Sequence, residues 1–367
     1  MSNRLDILAF EEWCNQGRQP LIISGPCSAE TEEQVMKTAR AIEALGQVQV
    51  FRAGVWKPRT RPNSFEGKGE EALLWLKKVK QETKLKTAVE VANPKHVEMA
   101  LKHEVDILWL GARTVVNPFS VQEISDSLKG VDIPVMVKNP LNPDISLWIG
   151  ALERINQAGI NKLIAIHRGF DFFKKSIYRN APMWEIPIEL KRRIPKLPII
   201  VDPSHISGKR ELLFDVAQKA LDLDMNGLMI ESHICPEEAY TDASQQITPT
   251  KLGAMLESLV VRSQKGTYDF QHKLEELRSE IDKLDAELIE ILAQRFHIID
   301  EIGEYKHHNN IAIYQVKRWS NILMNRLENG EELGIGKDFL LKVLQLVHKE
   351  SIQRQSQIYY SDQKDSL

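Results

Sequence analysis

The stretch LIISGPCSAE at residues 21–30 places four strand-like residues before a Gly-Pro turn and a cysteine. A short β-branched run, then a loop, then a helical stretch recurs in this way up to about residue 265. The runs are LIIS from residue 21, VQVFRA from 48, TAVEVA from 87, DILWLGA from 106, PVMVKN from 134, KLIAIHR from 162, PIIVDPS from 198 and GLMIESH from 227.

Eight βα units in about 250 residues are typical of a (β/α)8 TIM barrel, because the spacing leaves room for one helix between successive strands. An open doubly wound α/β sheet is the alternative, but no glycine-rich dinucleotide fingerprint follows the first strand. We therefore expect an α/β fold in which residues 1–265 form a (β/α)8 barrel.

The strand pattern stops near the segment RSQKGTYDFQHK at residues 262–273, and a helical pattern replaces it. Two heptad positions are apolar, one with Leu274, Ile281, Leu288 and Ile302, the other with Leu277, Leu284, Ile291 and Ile298. This pattern predicts a helix of about 30 residues, followed by helices near 315–329 and 337–358. The expected organisation is a linker at 266–272, an all-helical domain at 273–360 and a polar tail at 361–367.

The composition excludes several classes of protein. The chain has only three cysteines and a net charge of −3, and no apolar run approaches the length of a membrane span. It also has no dense run of basic residues that would favour nucleic acid. We expect a cytoplasmic protein with small-molecule partners. The two sections differ in charge: residues 1–265 have 35 basic and 33 acidic residues, and residues 266–367 have 13 basic and 18 acidic ones.

The ends of the predicted strands carry many polar side chains, and barrel chemistry is located at such ends. These residues are Cys27, Arg52, Lys57, Arg59, Thr60, Arg113, Lys138, His167, Arg168, Asp202, His205 and Glu231. Solvated surface charges would be scattered over helices and loops instead. The concentration of cations on one rim indicates binding of phosphate and carboxylate groups.

Closure of the barrel would make the eighth strand a neighbour of the seventh and the first. Cys27 would then lie beside His205 and Glu231, with Asp242 in the next loop as a fourth side chain. Thiolate, imidazole and carboxylate donors suit a divalent transition metal. The alternatives are that Cys27 is a small buried filler and that His233, two residues after Glu231, is a rival ligand.

The motifs GPCS, FRAGVWKPRTRPNSFEG, GAR, DPSH, GLMIESH and TDASQQ resemble, in order, the type I beta 3-deoxy-D-arabino-heptulosonate 7-phosphate (DAHP) synthases. The resemblance implies a metal-assisted condensation of phosphoenolpyruvate with erythrose 4-phosphate. A related synthase that uses arabinose 5-phosphate has KANRS where this chain has KPRT, which favours the four-carbon aldose. The segment VKNPLNP at 137–143 departs from the Lys-Arg-Gly turn of many relatives.

The resemblance also implies roles for individual residues. The implied metal ligands are Cys27, His205, Glu231 and Asp242. The implied phosphoenolpyruvate contacts are Arg52, Lys57, Arg113, Lys138 and Arg168, and Arg59, Thr60 and Asp202 face the aldose phosphate. Lys57, Lys138 and His205 are the expected catalytic residues.

The helical section has polar residues within its apolar seams. Arg295 occupies the heptad position of Leu288 and Ile302, and an arginine there is costly unless it meets an anion. In the last predicted helix, the stripe of Leu340, Leu344 and Val347 continues as Ser351 and Gln355. Buried polar residues that only fix the register of a bundle are the alternative.

Residues 270–358 resemble the all-helical AroQ-type chorismate mutases. The residues that match that family's active site are Arg278, Arg295, Lys306, Arg318, Ser351 and Gln355. The resemblance implies rearrangement of chorismate to prephenate, with Arg278 and Arg295 on the carboxylates, Lys306 and Gln355 at the ether oxygen, and Arg278 reaching into a dimer partner.

Gln315 and Trp319 replace the usual acidic residues of that mutase family. A sensor or dimerisation module of little mutase activity is therefore the alternative reading of the helical section. We further expect prephenate to inhibit the condensation through this section, because the barrel has only about 20 residues before its first strand and thus no room there for a regulatory domain.

Overall fold

The predicted strands form a closed parallel barrel in the computed structural model, which describes residues 5–14, 20–57, 65–173, 176–262 and 268–361. Each strand pairs in parallel with the next, and the eighth closes onto the first through the register Leu21 to Gly227. The strands are β1 (Leu21–Gly25), β2 (Val50–Arg52), β3 (Lys86–Val91), β4 (Ile107–Leu110), β5 (Val135–Lys138), β6 (Leu163–His167), β7 (Ile199–Val201) and β8 (Gly227–Glu231). The prediction of a (β/α)8 barrel is confirmed.

Helices cover the outside of the barrel, and several begin at a capping side chain. Thr31, Asn93 and Asp144 accept hydrogen bonds from backbone N–H groups of the first turn that have no partner within their helix. The helices of this unit are α1 (Phe10–Trp13), α2 (Glu32–Glu43), α3 (Glu70–Glu82), α4 (Pro94–Lys102), α5 (Ala112–Val115), α6 (Pro118–Ser127), α7 (Ile145–Gln157), α8 (Glu185–Arg193), α9 (Pro203–Ser207), α10 (Leu213–Asp222) and α11 (Pro249–Ser258).

The barrel unit has two apolar clusters. The larger one lies between the strands and the surrounding helices, and the smaller one fills the barrel interior with residues such as Ile23, Trp109 and Met229. Phe10 of α1 belongs to the interior cluster together with Leu21, the first residue of β1. Helix α1 therefore covers the amino-terminal end of the barrel, and the opposite end is left for polar side chains.

The chain divides into two compact units, Met1–Gln264 and Lys265–Leu367. The second unit contains α12 (Tyr268–His308), α13 (Val316–Glu332) and α14 (Lys337–Ser361). Helix α12 has 41 residues and begins inside the segment predicted as a linker, so residues 268–272 are helical. Helices α12 and α14 approach closely at Gly303, where a Cβ atom would lie 2.7 Å from Ile358 Cδ1.

The amino-terminal half of α12 exposes an apolar stripe. Leu277, Ile281, Leu284 and Leu288 are 46–62% exposed, although they occupy the heptad positions that predicted a packed seam. Among the helices of the described residues, none is both long and apolar enough to cross a membrane.

Candidate active sites

The carboxyl ends of the barrel strands bring the predicted polar residues together. Arg52, Lys138 and Glu231 are the last residues of β2, β5 and β8, and Cys27 follows β1 by two residues. All four are buried. His205 lies in α9, which begins at Pro203, two residues after the last residue of β7. A proline at this position favours the start of a helix. The rim therefore holds a desolvated polar cluster rather than a set of solvated charges.

Three of the four predicted metal ligands form a compact group. One ligand atom each of Cys27, Glu231 and Asp242 lies within 4.8 Å of the other two, and Cys27 Sγ is 3.3 Å from Asp242 Oδ2. His205 is adjacent to this group, with Nε2 3.9 Å from Glu231 Oε1 and Nδ1 2.8 Å from Asp202 Oδ2. A carboxylate at one imidazole nitrogen orients the other toward a metal. These donors fit a divalent transition metal.

The charges around Cys27 favour a cation at the centre of the group. Burial raises the pKa of the Cys27 thiol to about 12, and the Glu231 charge adds to the effect. Lys57 opposes it, because its Nζ atom donates a hydrogen bond to Cys27 Sγ over 3.0 Å. Burial also disfavours the charged form of Glu231, but His205 and Arg52 outweigh it and lower the pKa of that carboxyl. A bound divalent ion would convert the thiol into the thiolate that ligates.

A cavity of about 120 Å³ lies beside this group, and most of its charged lining is cationic. Its charged and ionisable residues are Lys57, Arg113, Lys138, Arg168, Arg179, Glu90, His205 and Asp242. Four of the cations predicted to contact phosphoenolpyruvate therefore line one space. Lysine and arginine donors at this density suit phosphate and carboxylate oxygens.

Buried hydrogen bonds orient two of these cations. Lys138 Nζ donates to Asp202 Oδ2 over 2.8 Å, and Arg168 Nη1 donates to Asn180 Oδ1 over 2.8 Å. Burial alone would raise the pKa of Asp202, but His205 and Lys138 outweigh it and hold the pKa well below its ordinary value. Asp202 is fully buried and contacts Lys138 and His205; its place on the aldose-phosphate side stays a prediction.

Arg52 is not among the residues that line the cation-lined cavity in the described part of the chain. Only 2% of its surface is exposed, and its Nη1 atom donates to Pro26 O (2.9 Å) and Glu231 Oε1 (3.1 Å). Its guanidinium carbon is 5.0 Å from the ring centre of Trp109. This arginine, expected to touch phosphoenolpyruvate, therefore contacts a predicted metal ligand, because β2 ends with the side chain directed toward the barrel interior.

Three further predicted residues are not among those that line the described site. Arg59 and Thr60 lie outside the described residues. His233, the rival metal ligand, is buried, and its Nε2 atom is 3.9 Å from Glu30 Oε2. It does not belong to the compact group of metal-ligating residues found in the described part of the chain.

The structure adds Arg179, which sequence reasoning missed. Its Nη1 atom donates to Asp242 Oδ1 and to Gln245 Oε1, each over 2.9 Å. Burial disfavours its charge, but Asp242 outweighs this and raises the pKa of the guanidinium. Arg179 lies in a long loop after β6, so its distance along the chain from any strand end hid it from a search of those ends.

Glu90 of β3 is a second missed residue. It lines the cation-lined cavity, and its Oε2 atom accepts a hydrogen bond from Trp109 Nε1 over 3.1 Å. Gly111 makes room for it, since a Cβ atom at that position would lie 2.0 Å from Glu90 Oε1. A charged residue within the apolar run TAVEVA was the available signal.

The helical unit has a cavity of about 350 Å³ between its three helices. Five predicted mutase residues line it: Arg295, Lys306, Arg318, Ser351 and Gln355. Arg326 is a further cation in the lining that the sequence reading missed. The cavity is therefore suited to an anionic ligand.

The cations of this cavity are partly desolvated. Arg295 Nη1 donates to Ser351 Oγ over 2.8 Å, so its partner is a hydroxyl rather than the expected anion. Burial, and then the nearby Arg326, lower the pKa of Arg295. Lys306 Nζ donates to Ile313 O over 2.6 Å, and burial lowers its pKa. An anionic ligand would relieve this desolvation and repulsion.

The two departures from the mutase pattern, Gln315 and Trp319, also line the cavity. The Trp319 indole stacks on His348 with ring centres 3.8 Å apart. No carboxylate is found in the described lining. Arg278 lies elsewhere, with its side chain 62% exposed and its Nη1 atom 3.8 Å from Glu275 Oε2.

Comparison with known proteins identifies a family for each of the two sections of the chain. Residues 11–265 match the DAHP synthetase I family, and residues 277–356 match chorismate mutase type II. The phospho-2-dehydro-3-deoxyheptonate aldolase of Thermotoga maritima is 34% identical over 230 residues, and the T-protein of Haemophilus influenzae is 36% identical over 88 residues. A crystal structure of the Thermotoga aldolase aligns with a TM-score of 0.59 at 29% identity, covering 66% of this chain and 68% of that one.

The similarity to these relatives is partial in length. The alignment with the Thermotoga aldolase covers 62% of this chain and 64% of that protein. The alignment with the T-protein covers 24% of this chain and 23% of that protein. The two family matches lie on different parts of the chain, residues 11–265 and 277–356.

Proposed function

We propose that this chain, which belongs to the DAHP synthetase I family and carries a chorismate mutase type II domain, is a bifunctional enzyme of aromatic biosynthesis. Its barrel, residues 1–265, condenses phosphoenolpyruvate with erythrose 4-phosphate to DAHP, the first step of the shikimate pathway. Its helical domain, residues 273–360, rearranges chorismate to prephenate. The observation that carries the first activity is the cation-lined cavity beside the Cys27, Glu231 and Asp242 group.

The barrel reaction brings together two phosphates and a carboxylate, which repel one another in solution. Arg113 and Arg168 bind phosphoenolpyruvate, and Lys57, Lys138 and His205 stand at the reacting atoms. Preorganised cations at such a site stabilise the charge that develops in the transition state. The support is that all five line one cavity and that Lys138 is already oriented by a buried carboxylate.

We assign a divalent metal ion, such as Mn, Fe, Co or Zn, to Cys27, His205, Glu231 and Asp242. When bound, the ion supplies a Lewis acid for the aldehyde oxygen of the aldose phosphate. The protein's part is to hold the four donors: Arg52 orients Glu231, and the Asp202 carboxylate lies at His205 Nδ1. Arg59 and Thr60 remain assigned to the aldose phosphate by the motif alone.

The helical domain binds a dicarboxylate and needs no nucleophile. Arg295 holds one carboxylate group, Arg318 is a further substrate contact, Ser351 orients Arg295, and Lys306 and Gln355 donate to the ether oxygen as negative charge develops there. The support is that all five residues line the 350 Å³ cavity and that two of them, Ser351 and Gln355, are at most 5% exposed.

A second copy of the chain completes this site. Arg278 is exposed and lies outside the cavity of its own unit, as expected of a residue that holds the second carboxylate in a partner's cavity. The exposed stripe of Leu277, Ile281, Leu284 and Leu288 supplies an apolar surface for that partner. The proposed partners are thus phosphoenolpyruvate, erythrose 4-phosphate, chorismate and prephenate, together with a second copy of the chain. We propose no nucleic-acid or membrane partner, and we place the protein in the cytoplasm.

A second candidate for the helical domain is a sensor or dimerisation module of little mutase activity. The observation that favours it is the presence of Gln315 and Trp319 in a lining without carboxylates among the described residues. Assay of both reactions on the purified full-length protein, with and without a chelator, separates the candidates. Prephenate formation that survives chelation supports the bifunctional enzyme. If no prephenate forms, the sensor or dimerisation module is supported instead.

We also propose that prephenate bound to the helical domain inhibits the condensation. A coupling of about 1–3 kcal/mol between two sites gives a 5- to 150-fold effect. The test is to titrate prephenate against the full-length chain and a chain cut near residue 265 while following phosphoenolpyruvate loss. Inhibition confined to the full-length chain is expected, and equal responses would exclude this role.

A further inference from the structure

A buried polar chain lies behind the metal-ligand group. Glu30, between β1 and α2, is 4% exposed, and its Oε1 atom accepts hydrogen bonds from Ser28 Oγ and from the backbone N–H of Tyr240, each over 2.8 Å. Ser28 Oγ also lies 2.7 Å from Thr241 Oγ1. Nothing in the proposed reaction uses these side chains.

The direction of these hydrogen bonds follows from counting protons. Ser28 gives its single hydroxyl proton to Glu30 Oε1. The Thr241 hydroxyl must therefore donate to Ser28 Oγ. The result is a chain from Thr241 through Ser28 to Glu30, which joins two loops that are 213 residues apart in sequence.

Each of these loops carries a metal-ligating residue directly beside the chain. Ser28 follows Cys27, and Thr241 precedes Asp242. Gln246 makes a second bridge, since its Oε1 atom accepts from the Cys27 N–H over 2.9 Å and its Nε2 atom donates to Thr241 O over 2.8 Å. Two hydrogen-bonded bridges therefore join the Cys27 loop to Thr241, the residue before Asp242.

The backbone of Asp242 needs such support. Its φ angle is +48°, in the left-handed region that residues other than glycine rarely adopt. Such a conformation persists only where the surrounding structure holds it. Glu30 holds the two residues that precede Asp242, through the Tyr240 N–H and the chain to Thr241.

We infer that Glu30 is a positioning residue for the metal site: it keeps the Asp242 loop against the Cys27 loop without touching the metal. The inference rests on the proposed metal site. A carboxylate suits the position because it accepts both hydrogen bonds and faces His233, whose Nε2 atom is 3.9 Å away. Truncation leaves the Ser28 hydroxyl and the Tyr240 N–H without their acceptor, so the Asp242 loop relaxes.

The test is metal binding rather than turnover. Full-length protein is stripped of metal and titrated with Mn²⁺ by calorimetry, as wild type, Glu30→Ala and the matched control Glu33→Ala, whose side chain is 75% exposed. We expect Glu30→Ala to bind 10- to 100-fold more weakly, the usual effect of removing a residue that supports metal ligands. The control should bind like wild type. With Co²⁺, the thiolate-to-metal absorption band should shift in Glu30→Ala alone.

Thr241→Val tests the same chain with less risk to folding, because it removes only one hydroxyl. It should weaken Mn²⁺ binding in the same direction, and the double variant with Glu30→Ala should show less than the sum of the two effects. Equal affinity in wild type and folded Glu30→Ala overturns the inference alone. If Glu30→Ala does not fold, unchanged affinity in Thr241→Val overturns it. Absence of Mn²⁺ and Co²⁺ binding by wild type overturns the metal proposal as well.

Discussion

Arg295→Ala tests the assignment of the helical cavity. Arg295 is half-buried on α12, its Nη1 atom donates a hydrogen bond to the Ser351 hydroxyl over 2.8 Å, and the charge of Arg326 lies nearby. Its charge is therefore available to a ligand carboxylate. Loss of one charge-assisted contact in a desolvated site costs about 3 kcal/mol of transition-state stabilisation. Since about 1.4 kcal/mol corresponds to a tenfold change in rate, kcat/KM for prephenate formation should fall about 100-fold or more.

The assay follows chorismate loss at several concentrations, with the condensation measured on the same preparations. His297→Ala is the matched control, because His297 lies two residues away on the same helix and is 79% exposed. Condensation should be unchanged in both variants. The folded state should lose little stability, since the substitution removes one hydrogen bond but also a repulsion with Arg326. A folded Arg295→Ala protein with wild-type kcat/KM would show that Arg295 only fixes the packing of the seam.

Three other changes have defined outcomes. Chelation, or Cys27→Ala, should abolish the condensation and spare the mutase reaction, because the ligand group lies in the barrel; undiminished condensation by metal-free Cys27→Ala protein would refute the metal assignment. Burial lowers the pKa of His167 to about 3, whereas the same group in the unfolded chain has its ordinary pKa of about 6.5. Between these two values only the unfolded chain binds the proton, so barrel stability should fall by up to about 1.4 kcal/mol per pH unit as the pH drops from 6.5 towards 3. Thermal unfolding of His167→Leu should show a weaker acid dependence, and an equal one would contradict the assignment. Gly111→Ala places a Cβ atom 2.0 Å from Glu90 Oε1, so Glu90 must shift and lose its hydrogen bond with Trp109. We expect kcat/KM for the condensation to fall about tenfold, the effect of one lost hydrogen bond. Wild-type kinetics would show that Glu90 can move without consequence.

Much of the fold followed from the sequence, because local patterns specify buried parallel strands. A strand covered on both faces must be largely apolar, as are the residues that precede Ser24 in LIIS and Glu231 in GLMIE, and regular spacing of such runs leaves few topologies besides a closed barrel. The heptads of α12 likewise predicted a long helix of about 30 residues, whereas the helix has 41. It begins within the polar segment predicted as a linker, because no proline there prevents a helix.

The sequence also determined which residues meet at the rim. Cys27 and Glu231 end adjacent strands once the barrel closes, so their proximity follows from topology without any knowledge of side-chain packing. Arg295, Ser351 and Gln355 were found as polar interruptions of apolar stripes. These inferences rest on position along an element, which sequence records directly.

Only the tertiary structure decided what each side chain contacts. Arg52 and Asp202 lie at strand ends like the other cations and ligands, and their contacts are with Glu231 and with Lys138, which sequence position did not predict. Arg179 reaches Asp242 from a distant loop, and Glu30 reaches the Asp242 loop through Ser28. The physical reason is that strand and helix periodicities follow from short-range backbone geometry, whereas the partners of a buried charge depend on how loops far apart in the chain pack over the rim to satisfy it.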